Sequence, residues 1–239
     1  NNHNGTSRSK NNKTAICTYR TNLPVSHLWR AKNMKKYDLL IKLTNAFGVS
    51  GKEGEVRDII KNEIKKHVDD VYVDKMGNLI AHKKSAYKKG VSKIMIAAHM
   101  DEIGLIVKNI EKEGKIRIAS VGGIDSIILL NEKITIKTRK KDVRGVVTTD
   151  DISGSIFSKD RPLLPEMYID TGLTKQEIEQ SGVHIGSFIS FTPNTEILGN
   201  GKLICGKALD DRIGCYILIE TMKRIKKGKK CMGRFWGPV

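Results

Sequence analysis

The four cysteines of this 239-residue chain, Cys17, Cys205, Cys215 and Cys231, are scattered, and no two form a C-x-x-C pair. That absence removes the spacing signal of a zinc finger and of a disulfide framework, leaving buried or free thiols. No apolar run approaches the roughly 18 residues needed to span a membrane. The N-terminal stretch lacks the apolar core of a signal peptide, so a cytoplasmic protein is the expectation. Acidic residues are missing from both ends. Residues 1–33 hold Arg8, Lys10, Lys13, Arg20, Arg30 and Lys32, and residues 223–239 hold Lys223, Arg224, Lys226, Lys227, Lys229, Lys230 and Arg234, with no Asp or Glu in either. The formal net charge of +17 comes mostly from these ends, because the body between them keeps all 26 acids in near balance with its bases. Solvated basic tails fit that distribution better than a nucleic-acid-binding face, whose affinity would fall steeply with salt.

What is present reads as a soluble globular chain, 39% hydrophobic and 29% charged, long enough for one large domain or two modest ones. Residues 1–33 lack periodicity and read as a disordered or extraneous leader, with Met34 as the natural start. Leu39, Leu40, Leu43 and Phe47 fall at helical spacing before Gly48. Ser50 and Glu53 match a capping box ahead of Val56, Ile59, Ile60 and Ile64, the apolar face of a second helix. Val71 to Ala81 reads as a hairpin turning at Met76-Gly77-Asn78. Ile94 to Ala98 reads as a continuous apolar strand buried on both faces. From about 103 to 199 short alternating strands dominate (Ile103/Leu105/Val107, Ile116/Ile118, Ile134/Ile136, Val143–Val147, Phe188–Phe191), the pattern of a small barrel or sandwich. Thr174 and Glu177 cap one short helix within it. Helical spacing returns after Leu209 with Ile213, Ile217, Ile219 and Met222. The fold class is therefore α/β. The α/β domain comes in two parts, 34–104 and 200–239, around an inserted β-rich domain at 105–199.

Two segments carry chemistry. The apolar run 94–98 ends in His99-Met100-Asp101-Glu102, and Asp210-Asp211 stands just ahead of the last helix. His-x-Asp after a strand is either a solvated strand end or an imidazole ligand whose second nitrogen is held by a carboxylate. Asp210 is either a helix N-cap or a carboxylate that bridges two metals. Composition and spacing leave both alternatives open.

Ala97-Ala98-His99-Met100-Asp101-Glu102-Ile103-Gly104 and Gly199-Asn200-Gly201 through Gly206-Lys207-Ala208-Leu209-Asp210-Asp211-Arg212 resemble the glutamyl aminopeptidase/endoglucanase M-like family of dinuclear metallo-aminopeptidases. Thr44–Gly51, Asp74–Leu79, Val121-Gly122-Gly123 and Tyr168–Gly172 add to the likeness, which runs over about 34–227. The resemblance implies an α/β/α exopeptidase domain with an inserted barrel-like dimerisation domain, and two divalent metal ions, zinc or cobalt. It also implies peptide substrates trimmed from the N-terminus, and homo-oligomers from dimers to dodecamers. It assigns His99 and Asp210 as metal ligands and Asp101 as the catalytic-site residue that orients His99. The family pattern then continues with a Glu-Glu pair, which supplies the general base and a ligand, and with later Asp and His ligands. The last residues here, 229–239, do not resemble that continuation. The expectation is a truncated or frame-shifted product, or an imperfect gene model, with weak metal binding and little hydrolysis. The alternative is a non-catalytic fragment that acts as an interaction or dimerisation module. The glucanase label of some relatives lacks the paired acid and nucleophile carboxylates that such chemistry requires.

Overall fold

The computed structural model describes residues 37–85, 93–150 and 163–225. The leader at 1–33, the start at Met34 and the tail at 229–239 lie outside these. Helix α1 (37–45) is followed by α2 (Gly54–Ile64) and the hairpin β1 (Asp70–Val73) and β2 (Leu79–His82). Leu43, Val56, Ile60, Ile64, Leu79 and Ala81 bury together, at the spacing that the helices and hairpin each require. No described helix is long and apolar enough to cross a membrane.

The chain then enters a closed barrel of six antiparallel strands, ordered β3-β4-β7-β6-β5-β8. These are β3 (Gly104–Ile110), β4 (Ile116–Val121), β5 (Lys133–Ile136), β6 (Val143–Thr149), β7 (Met167–Asp170) and β8 (Phe188–Phe191). Alternate residues such as Ile116 and Ile118, Ile134 and Ile136, and Met167 and Ile169 point inward and are almost fully buried. Closure gives every strand two partners and leaves no edge. Gly104 admits no side chain, since a Cβ there would sit 2.7 Å from the Ile189 carbonyl oxygen and as close to Val49. The short helix α3 (Lys175–Gln180) carries the expected Thr174/Glu177 capping box. Beyond the barrel come the hairpin β9 (Glu196–Leu198) and β10 (Leu203–Cys205), and then α4 (Leu209–Arg224).

Three expectations are corrected. Ile94 to Ala98 joins no sheet, and Ile94 and Met95 are 46% and 66% exposed, because no described strand lies alongside to bond and cover them. On α4 the buried side is Arg212, Cys215, Leu218, Ile219 and Met222, while Ile213 and Ile217 face outward. Ser50 is not a helix cap. The N-cap position of α2 is Glu53, which makes no side-chain capping bond. Strands β7, β9 and β10 were not anticipated.

Candidate functional site

Although residues 98–103 pair only through one bridge, Val49 to Glu102, their burial alternates. Ala98, Met100 and Glu102 face inward, and His99, Asp101 and Ile103 face outward. The period of extended backbone thus sets His99 and Asp101 on one side. His99 Nδ1 lies 3.0 Å from Asp101 Oδ1, and its Nε2 lies 3.0 Å from Asp210 Oδ1. All three of the residues singled out from sequence therefore meet, across 111 positions of chain in the case of Asp210.

Asp210 is free for this contact because its neighbour does the capping. Asp211 Oδ1 accepts the Gly214 N–H at 3.0 Å, and Asp210 and Asp211 both have non-helical backbone angles ahead of the regular helix. The Asp210–Asp211 peptide is cis, and Ala208 before it is left-handed with φ 55°. Asp210 is 94% exposed at its side chain, so its carboxylate is presented rather than consumed.

Ser50, missed from sequence, donates its hydroxyl hydrogen to Asp101 Oδ2. Partial burial favours a neutral Asp101, but the Ser50 hydroxyl and His99 outweigh it and hold the carboxyl below its ordinary pKa. Burial likewise lowers the imidazole pKa, while hydrogen bonds and charge from Asp210 and Asp101 raise it, and the net direction is up.

These geometries test whether the residues suit a metal ion. With Nδ1–H donating to Asp101, Nε2 carries a lone pair facing a carboxylate oxygen. Two acceptors 3.0 Å apart hold together only with a proton or a cation between them, and the tautomer is the one a ligating imidazole needs. The donor chemistry fits. The donor number is small: among the described residues no group of three or more His, Cys, Asp and Glu side chains is arranged to hold a metal.

Behind the exposed face lies a buried ionic knot that no local sequence pattern announces. Glu102, Lys207 and Arg212 have side chains 2%, 4% and 0% exposed. Lys207 Nζ donates to both Glu102 oxygens at 2.7 and 2.8 Å and to the Ala46 carbonyl at 3.0 Å. Glu102 Oε1 also accepts from Gly48 N–H at 3.0 Å and from the Ser190 hydroxyl at 3.1 Å. Arg212 donates from Nε to the Met100 carbonyl at 2.6 Å and from its guanidinium nitrogens to Leu43 and Gly48 carbonyls. Burial pushes the Lys207 ammonium below its ordinary pKa, with Glu102 opposing that shift. The knot fixes the backbone on both sides of Asp101, and through Ser190 it also fixes the barrel.

The profile of the M42 glutamyl aminopeptidase family matches residues 77–235. The chain belongs to this family. It is 34% identical over 203 residues to the lysyl aminopeptidase of Pyrococcus furiosus, covering 80% of this chain and 56% of that protein. Its structure resembles the TET aminopeptidase from the marine sediment archaeon Thaumarchaeota archaeon SCGC AB-539-E09, with TM-score 0.78 and 34% identity over 86% of this chain and 58% of the other. It also resembles the TET1 peptidase of Pyrococcus horikoshii, with TM-score 0.71 and 33% identity over 84% of this chain and 59% of the other. These likenesses assign an α/β exopeptidase-type fold carrying the barrel. The chain spans little more than half the length of the relatives it matches.

Proposed function

We propose that this chain is the part of a metal-dependent aminopeptidase that supplies His99 and Asp210 as metal ligands and Asp101 as the residue that orients His99. The observation that carries the reading is the Asp101–His99–Asp210 chain of 3.0 Å contacts on an exposed face backed by a buried knot. When bound, two divalent cations of the zinc or cobalt type would polarise the scissile carbonyl and lower the pKa of an attacking water. Asp101, held by Ser50, fixes the imidazole tautomer so that Nε2 faces the ligand position, and Asp210 offers a carboxylate that no capping bond occupies. Two protein ligands are fewer than a catalytic zinc ion normally takes, so these residues account for part of a donor set.

The reading extends to organisation. The described residues within 34–104 and 200–239 belong to the exopeptidase unit, and those within 105–199 to the inserted barrel, which pairs copies of the chain. The Pyrococcus horikoshii relative can assemble into a tetrahedron or a large octahedral shell, and a homo-oligomer is proposed here by analogy. The substrate is the N-terminus of a peptide.

The test is calorimetric titration of cobalt or zinc into the metal-free chain, its His99→Ala variant and its Asp210→Ala variant, alongside hydrolysis of aminoacyl-p-nitroanilides with and without metal. Both substitutions should weaken metal binding, and any hydrolysis should need added metal. Metal binding that neither substitution changes would sink the assignment.

A further inference from the structure

A cavity of about 480 Å³ opens beside the site, bounded by His99, Asp101 and Asp210 and by the barrel rim. Its size lies in the range of pockets that enclose small ligands. Ile103, Ile128 and Phe191 give it apolar walls. Among these walls stands one carboxylate that neither the proposed mechanism nor the buried knot uses, that of Glu132.

Glu132 is held by its backbone and not by its side chain. Its N–H donates to the Leu129 carbonyl at 3.0 Å, and its carbonyl accepts from Val147 N–H at 3.0 Å, which pins its Cα where the chain enters β5. The side chain is half-buried, yet no hydrogen bond or ion pair among the described residues uses its carboxylate. A carboxylate that no neighbouring donor engages is open to a charge-assisted bond from an incoming cation. Lys207 also borders the cavity, but its charge is taken up by two bonds to Glu102 and does not cancel that of Glu132.

We propose that Glu132 determines specificity and that this cavity takes a basic first residue, lysine or arginine. The aliphatic stem lies along Ile103, Ile128 and Phe191, and the charged head meets the Glu132 carboxylate. Long basic side chains suit such a place, since they bury methylenes and keep a cationic tip. A charge-assisted bond of this kind discriminates on the order of tenfold or more against an uncharged isostere. The assignment rests on the aminopeptidase reading, because it places a substrate side chain next to the proposed metal ligands.

Calorimetry on the full chain tests it with L-lysinamide and L-norleucinamide, which share the α-ammonium and differ in the side-chain charge. The unsubstituted chain should bind lysinamide on the order of tenfold more tightly. Glu132→Gln should bring the two ligands level, and Glu132→Lys should turn the preference towards the α-amide of glutamate. Equal binding of both ligands by the unsubstituted chain, or no binding of either, would overturn the proposal. So would an equal loss of both with Glu132→Gln, which would mean that the carboxylate reads the α-ammonium instead. Comparing lysyl- and leucyl-p-nitroanilide with added cobalt separates the two readings. Turnover that prefers leucine sinks the specificity alone. An intact lysinamide preference together with metal binding that neither His99→Ala nor Asp210→Ala changes sinks the peptidase reading and supports the Glu132 site.

Discussion

Replacing Glu102 by glutamine should destabilise the chain more than replacing Lys207 by methionine, although both changes break the same ion pair. Removing Lys207 leaves the Glu102 carboxylate with the Gly48 N–H, the Ser190 hydroxyl and the Arg212 guanidinium at 3.7 Å. Removing the Glu102 charge leaves two buried cations, Lys207 and Arg212, facing each other with backbone carbonyls as their acceptors. Breaking a buried pair from one side costs about 3–5 kcal/mol. The lysine variant belongs near the lower figure and the glutamine variant near the upper. A difference of about 2 kcal/mol corresponds to roughly 4–8 °C in Tm for a chain of this size. It is also a large share of the roughly 5–15 kcal/mol that stabilises a typical domain. The double variant should cost less than the sum of the two, with a coupling on the order of 2 kcal/mol, since it removes both charges of the pair. Urea unfolding followed by far-UV circular dichroism gives all three values. A lysine variant as unstable as the glutamine variant, or strict additivity, would refute the account of Glu102 as the anion that two buried cations depend on.

Gly48→Ala should destabilise by about 1–3 kcal/mol in the same assay, because its Cβ would sit 2.7 Å from Val56 Cγ2 and closer still to the Arg212 guanidinium. Cys215 is buried and its thiol is pushed up to about 12, whereas Cys205 is exposed. Peptide mapping after iodoacetamide treatment at neutral pH should find Cys205 alkylated and Cys215 protected until urea is added, and equal rates in the native chain would contradict the burial. Thr174 bonds hold the Glu177 carboxyl below its ordinary pKa, so the stabilisation is present above that value and fades as pH falls through the lowered one. The Tm deficit of Thr174→Ala should therefore be larger at neutral pH than in acid, and a deficit independent of pH would argue against the capping box.

Much of the barrel was legible because strands such as β4 and β5 carry their own period of two, which needs no knowledge of their neighbours. Ile134 and Ile136 point inward whichever strands flank them. The stretch Ile94–Ala98 is different: its composition suits a strand, but strand structure requires partners, and none of the described residues provides one. The helix face of α4 was misassigned for a related reason. The apolar spacing of Ile213 and Ile217 suggests an inward face, yet both are exposed, and the adjacent Arg212 is fully buried. Local rules fail where a long-range contact outbids them. The S-x-x-E pattern at Ser50 satisfies a capping rule, yet the hydroxyl goes to Asp101, 51 positions away.

His99, Asp101 and Asp210 were legible only through the motifs around them, and the structure explains why those motifs are extended and not single residues. His99 lies on the exposed face of an extended segment and Asp210 at the turn ahead of α4, with side chains 49% and 94% exposed that contribute little packing. What holds them is the alternate face, Met100 and Glu102, together with Lys207 and Arg212, which flank Asp210 on either side. A charge on the inward face would be a fault in an ordinary core, where hydropathy puts leucine or valine. Here it supplies direction. Hydrogen bonds from Lys207 and Arg212 to the Ala46, Met100, Leu43 and Gly48 carbonyls fix backbone orientation in a way that apolar contact cannot, because apolar contact is not directional. The same Glu102 oxygen that accepts from Lys207 accepts from Ser190 on the barrel. The segment bearing the imidazole, the turn bearing Asp210 and the barrel wall beside the cavity are thus tied through one carboxylate, so a ligand that contacts the rim at Glu132 and the imidazole at His99 meets both at a fixed spacing.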